Sequence, residues 1–296
     1  MNIGLIDVDS HNWPNLALMK LSAWHKARGD NVEWWDGFER YSRVYMSRVF
    51  DDIYSSDCLE PVNADEVVRG GTGYGMGNCL PDEIEHVMPD YSLYGIQDTA
   101  YGFLTRGCPR GCPFCIVSQK EGCQSRKVAD LNQFWSGQKF IKLLDPNLFA
   151  CPEHEELLIQ LAKSNAWVDF TQGLDIRLMT EHDIELLMMI RTKNIHFAWD
   201  DPKQDLSGYF QKFKAISDMD ARKLSVYVLT NYNSTHEEDL YRVYTLRDLG
   251  YSPYVMIYNK PKAPIETRRL QRWVNNRRLF RAVPDFCEYG KVTVSW

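Results

Sequence analysis

The 296-residue sequence has no uninterrupted apolar run of the ~18–20 residues that a membrane-spanning helix needs. Its first ten residues carry Asp7 and Asp9 and no Lys or Arg, so they do not read as a secretory leader. No low-complexity segment occurs, and no repeat with a period of about 20–50 residues, which excludes a solenoid. A large net charge is missing too. The 34 Lys and Arg against 40 Asp and Glu leave −6, which is small and of the wrong sign for a general nucleic-acid coat. The glycine-rich stretch Gly70–Gly77 lacks the lysine of a phosphate-binding P-loop. What remains is an ordinary globular composition, 44% hydrophobic and 25% charged, which argues against disorder. The length suits one or two domains with a core that needs no disulfide staples. The expected location is the cytoplasm, where thiols stay reduced, so the eight cysteines point to metal or catalysis before disulfides.

The first segment reads as a small α/β unit, placed at residues 1–95. Asn2–Val8 is a short apolar run expected to be a buried strand, and Pro14 opens a helix through Leu16, Met19, Trp24 and Ala27 that Gly29 closes. Asn31–Trp35, Val44–Phe50 and Glu66–Arg69 follow as strands, and strand-helix-strand order favours a parallel sheet. From residue 98 to residue 260 strands again alternate with helical stretches. Strands are expected at Tyr101–Thr105, Phe140–Leu144, Val168–Gln172, Ile195–Trp199, Leu224–Thr230 and Tyr254–Tyr258. Thr180 is placed as the N-cap of one intervening helix. Six such strands suit a parallel β/α barrel short of the usual eight and open on one side.

The strongest signal is Leu104-Thr105-Arg106-Gly107-Cys108-Pro109-Arg110-Gly111-Cys112-Pro113-Phe114-Cys115. Three thiols spaced Cys-x3-Cys-x2-Cys let one short loop wrap a compact inorganic centre, with Gly107, Gly111, Pro109 and Pro113 setting the turns. An electron carrier normally supplies four cysteines and closes its cluster; three leave one iron open for substrate or cofactor. The plainer alternative is structural zinc, with Cys123, Cys151 or His154 as a fourth ligand, although the loop lacks the two Cys-x2-Cys pairs usual for zinc.

This loop, with Phe114 before the last cysteine, resembles the signature of radical S-adenosylmethionine enzymes, and its place after the first strand of a β/α repeat matches as well. The resemblance covers about residues 98–260. The segment before it looks like the Rossmann-like, cobalamin-binding-type domain of one branch. The resemblance implies an α/β fold: a small Rossmann-like N-terminal domain, a partial (β/α)6 barrel and a C-terminal helical extension, residues 261–296. It implies a 4Fe–4S cluster on Cys108, Cys112 and Cys115, with Phe114 near the adenine of S-adenosylmethionine. Reductive cleavage of the sulfonium would start hydrogen abstraction from a substrate, with a flavodoxin or ferredoxin as reductant. The substrate stays open among small molecules, peptides and nucleic acids.

Barrel enzymes place ligands at the C-terminal ends of their strands. The residues there are Asp145, where the family often has a Gly-Gly-Glu-like segment that this chain lacks, then Asp175 with Arg177, Asp200, and Asn231. Asp145, Asp200 and Asn231 are candidate cofactor contacts; Asp175 and Arg177 can pair with each other. Asp9-Ser10-His11-Asn12-Trp13-Pro14, Ser47-Arg48-Val49 and Gly70-Gly71 partly match a cobalamin motif, but Pro14 stands where glycine is expected, so cobalamin is not expected to bind. The other five cysteines, Cys58, Cys79, Cys123, Cys151 and Cys287, are scattered and do not suggest a second cluster. From Lys260 to Trp296 nine Lys and Arg face Glu266, Asp285 and Glu288, a local charge of +6 against −12 elsewhere. Leu270, Trp273 and Val274 form one helical face there with Arg268 and Arg272 opposite, either a closing helix with a solvated side or a patch for RNA, DNA or an acidic redox partner. Two other functions remain in view: a non-catalytic, metal-stabilised nucleic-acid-binding module, and a cobalamin-dependent radical methyltransferase.

Overall fold

Apolar residues of strand propensity open the chain, and in a computed structural model Asn2–Asp7 forms β1. The structure describes residues 1–11 and 13–292; Asn12, within the Asp9–Pro14 motif, and residues 293–296, at the end of the basic extension, lie outside the described residues. The side chain of Asn15 accepts the Leu18 N–H and starts α1 (Leu16–Lys26), which Gly29 follows at φ +79°. Strands β2 (Asn31–Trp34), β3 (Arg43–Ser47) and β4 (Val67–Gly70) pair with β1 in the order β2-β1-β3-β4, all parallel. Ile3, Leu5, Leu18 and Leu21 make the core of this layer.

Next come α2 (Asp82–Glu85), β5 (Thr99–Gly102), β6 (Thr105–Arg106), α3 (Val117–Glu121), β7 (Arg126–Lys127) and β8 (Phe140–Leu143). The expected strand Tyr101–Thr105 is therefore two pieces, because the chain breaks at Phe103 and Leu104 before pairing β6 with β7. Such two-residue strands carry no periodicity that a sequence pattern could detect. By its contacts the chain divides into two compact units, Met1–Lys142 and Leu143–Trp296.

The second unit alternates helix and strand: α4 (His154–Ser164), β9 (Trp167–Leu174), α5 (Glu181–Met189), β10 (Thr192–Ala198), α6 (Ser207–Ile216), β11 (Leu224–Thr230), α7 (His236–Asp248) and β12 (Ser252–Ile257). It ends in α8 (Ile265–Asn275), α9 (Arg277–Ala282) and α10 (Phe286–Val292). Thr180 does cap α5, in a capping box with Asp183, and Thr235 caps α7 in the same way with Glu238.

A six-stranded parallel sheet runs in the order β12-β11-β10-β9-β8-β5, chain order without a reversal. Parallel crossovers are right-handed, so an unreversed order sends every connecting helix to the same face. The side chains agree. Phe170, Phe197, Val226, Val228 and Val255 are buried on one face, where Phe197 meets Phe210 and Phe213 of α6, and Val255 joins Val243, Leu270 and Trp273. The opposite face of β9–β12 carries Asp169, Asn194, His196, Tyr227, Tyr254 and Met256, half-buried or exposed. Among the described residues no helix is long and apolar enough to cross a membrane.

Candidate metal centre

The cysteine loop is held at its base by chain pairing. β6 and β7 form an antiparallel ladder, Thr105 against Lys127 and Arg106 against Arg126, and residues 107–125 make the loop between them. Gly107 begins it at φ +87°, and a Cβ there would stand 2.1 Å from the Gln124 carbonyl oxygen, so this turn requires glycine. Its N–H donates to Glu121 Oε2 at 3.2 Å, and the Cys108 N–H donates to the Gly122 carbonyl at 3.2 Å. Gly111 is also left-handed, at φ +56°, and the Cys115 N–H closes a turn onto the Cys112 carbonyl at 2.9 Å. Cys108, Cys112 and Cys115 are all half-buried, and α3 starts two residues after the last of them. Arg106 braces the loop from outside: it pairs with Glu121 at 2.8 Å and Glu85 at 3.2 Å and lies 3.9 Å over the Phe103 ring. Lys120, whose ammonium burial pushes below its ordinary pKa, donates to the Thr72 hydroxyl.

The strand-end candidates belong to the second unit. Asp145 is buried, two residues beyond β8. Asp200 is two residues beyond β10, and burial pushes its carboxyl up to about 6 although Arg242, a hydrogen bond from the Leu229 backbone and Arg177 pull the other way. Asn231 follows β11 in a left-handed conformation, φ +62°, and donates to the Tyr258 carbonyl at 2.8 Å, tying the ends of β11 and β12 together. Asp175 and Arg177 pair with each other at 2.6 Å.

No protein-family model matches the chain, and no curated protein matches it.

Arg242, on α7, serves these strand ends and was not among the sequence candidates. It is wholly buried and donates to the carbonyl oxygens of Trp199 (2.7 Å), Asp200 (3.1 Å) and Leu229 (2.9 Å) and to Asp239 (2.5 Å). A signal existed: Asp239, Arg242, Val243 and Leu246 share one helical stripe, the buried one.

Other sequence candidates have structural partners. Both carboxylate oxygens of the buried Asp9 accept backbone N–H groups, from Val49 at 2.7 Å and Phe50 at 2.8 Å. His11 is exposed and helps line an open cleft of about 360 Å³ with Asp7, Val8, Trp34 and Tyr94. Gly71 and Gly73 pack on the Arg48–Phe50 backbone so closely that a Cβ on either would stand 2.2 Å from a carbonyl oxygen. Cys151 donates to Glu153 at 3.1 Å, and burial pushes its thiol up to about 11, a poor state for a metal ligand. His154, Glu155 and Asp183 bring ligand atoms within 4.8 Å of one another. Yet both His154 nitrogens already face acceptors, the Cys151 carbonyl at 2.7 Å and Asp183 at 2.9 Å, and Asp183 also closes the α5 capping box. That group ties α4 to α5.

Proposed function

We propose that this protein is a radical S-adenosylmethionine enzyme whose 4Fe–4S cluster is held by Cys108, Cys112 and Cys115. The observation that carries the reading is the loop: three half-buried thiols spaced Cys-x3-Cys-x2-Cys, on a turn that two left-handed glycines curl and a hairpin closes. The donor set fits the group. Thiolates are soft ligands suited to iron–sulfur centres, and three of them leave one iron without a protein ligand. When bound, the cluster and S-adenosylmethionine supply reductive cleavage of a sulfonium C–S bond, and with it a hydrogen-abstracting radical.

The chain's own part is to hold and to shield. The β6–β7 hairpin fixes where the loop begins and ends, and the Arg106–Glu121 pair anchors α3 beside it. Phe114 offers the adenine an apolar neighbour. Asp145 and Asp200 are proposed as acceptors for amino or hydroxyl groups of the cosubstrate, and Asn231 as a polar contact. The six-stranded sheet is proposed to be the wall of a partial (β/α)6 barrel: its unreversed strand order and one-sided helix layer support this. A reducing cytoplasm is the compartment that suits such a centre, and a flavodoxin or ferredoxin is the matching class of reductant.

The test is anaerobic reconstitution. The wild-type protein is expected to bind about four irons and, under reduction, to convert S-adenosylmethionine to 5′-deoxyadenosine. Cys112→Ala is expected to lose that conversion. Undiminished conversion by the variant, or a colourless protein that binds zinc instead, overturns the reading.

A further inference from the structure

The face of β9–β12 turned away from the helices has unusual chemistry for a sheet. His196 lies flat on Tyr227, ring centroids 5.0 Å apart and planes 5° apart, and Tyr254 meets Tyr227 edge-on at 5.9 Å. The Tyr227 hydroxyl is fixed by donation to the Thr171 carbonyl at 2.9 Å. Beside this stack, Asp169 accepts from Asn194 at 3.2 Å through one oxygen, while its other oxygen, Oδ1, is buried with no hydrogen-bond partner. His196 Nδ1 is buried and unpartnered as well. The two side chains do not satisfy each other, since His196 Nε2 stands 3.9 Å from Asp169 Oδ1, too far for a hydrogen bond. Buried polar atoms are almost always paired, so such a pair calls for a partner. A water would serve either atom. The aromatic wall alongside, with Tyr254 43% exposed and Met256 45% exposed, instead suits a planar ligand with polar edges.

Charge narrows the class. Between Lys260 and Arg281 the one acidic residue is Glu266. Arg268, Arg272, Arg277, Arg278 and Arg281 are exposed, and among the described residues none of these five forms an ion pair. Burial pushes His196 below its ordinary pKa; Asp169 opposes that shift and Arg277 adds to it. A peptide would supply N–H groups for Asp169 but no anionic backbone for the arginines.

We infer that the substrate of the proposed enzyme is a single-stranded nucleic acid, one base lying against Tyr254, a neighbouring base donating its amino or ring N–H to Asp169, and its phosphates on the arginines of α8 and α9. The chemistry performed on that base rests on the radical reading; the binding does not. A single strand is required because a paired base can neither stack on a tyrosine nor present its edge.

The test titrates the full-length protein into fluorescein-labelled RNA and DNA single strands of about 12 nucleotides, read by fluorescence anisotropy. Saturable binding that weakens steeply with salt is expected. The double substitution Arg272→Gln with Arg278→Gln should weaken binding about tenfold for every sequence and flatten the salt dependence. Tyr254→Ala and Asp169→Asn should each weaken it about tenfold, Asp169→Asn with a changed base preference, and Tyr254→Phe should restore wild-type affinity. Tyr254 is exposed, so its truncation leaves the core intact. RNA against DNA decides which polymer is the substrate. Binding that the arginine changes weaken while Tyr254→Ala and Asp169→Asn stay within twofold of wild type overturns the base-binding face. So does competition by a free mononucleotide at equal concentration, which would assign the face to a small ligand. Lack of binding while the reconstituted wild type still cleaves S-adenosylmethionine removes the substrate class and leaves the enzyme. Binding without cleavage supports the surface and removes the radical chemistry.

Discussion

Arg242 shows how one side chain can organise the ends of two strands. Its guanidinium has five N–H donors, enough to serve the carbonyl oxygens of Trp199, Asp200 and Leu229 and the Asp239 carboxylate together. Burial alone would disfavour that charge, and Asp239 offsets the cost. Asp200 sits in the same surroundings with a different outcome. Burial outweighs its cationic neighbours, and its carboxyl titrates at about 6. The folded state therefore holds this proton longer than the unfolded chain does. The group favours folding at low pH, and that advantage is lost as pH rises from about 4 to about 6, by about 3 kcal/mol in all. Asp200→Asn should remove this slope. Urea unfolding between pH 4 and pH 7 should show the wild type losing up to about 3 kcal/mol relative to the variant, with no further divergence above pH 7. Parallel stability profiles would contradict the buried carboxyl.

The cysteine loop is the element on which the proposed function rests, and its glycines matter more than its length. At φ +87°, with a carbonyl oxygen 2.1 Å from any Cβ, Gly107 cannot become alanine without moving the β6–β7 base of the loop. Gly107→Ala is expected to cut iron bound on reconstitution to less than half of wild type while leaving far-UV circular dichroism unchanged. Full iron content would mean that the loop tolerates a shifted base. The residues that make this element were visible in the sequence as three cysteines between glycines and prolines. The hairpin that closes it was not, because two paired residues on each side have no pattern of their own. Helices with caps were more legible: Thr180 announced α5 because a hydroxyl before an apolar-periodic run satisfies an orphan N–H wherever the helix packs. The paired Asp175 and Arg177 were also foreseeable, being two residues apart in one turn.

At the scale of the whole molecule, the C-terminal extension is part of the second unit's core. Trp273 is wholly buried, donates its indole N–H to the Val283 carbonyl at 2.8 Å, and packs on Phe280, Phe286 and Tyr244. Trp273→Ala should lower unfolding free energy by about 3–5 kcal/mol, whereas the exposed Arg272→Ala should stay within about 0.5 kcal/mol, both measured by urea titration. Equal effects would mean that the extension is not packed as described. By itself the sequence determined the alternation of strands and helices, the parallel character of the two larger sheets, the buried stripe Leu270-Trp273-Val274 and the three thiols, since each depends on spacing within a short stretch of chain. Tertiary structure alone decided the unreversed order of the six strands, the burial of Arg242, the use of Asp9 on backbone N–H groups, and the meeting of Asp169, His196, Tyr227 and Tyr254 on one face. The reason is physical. Periodicity tells which side of a strand is apolar, but neighbours across a sheet come from register and strand order, which long-range packing sets.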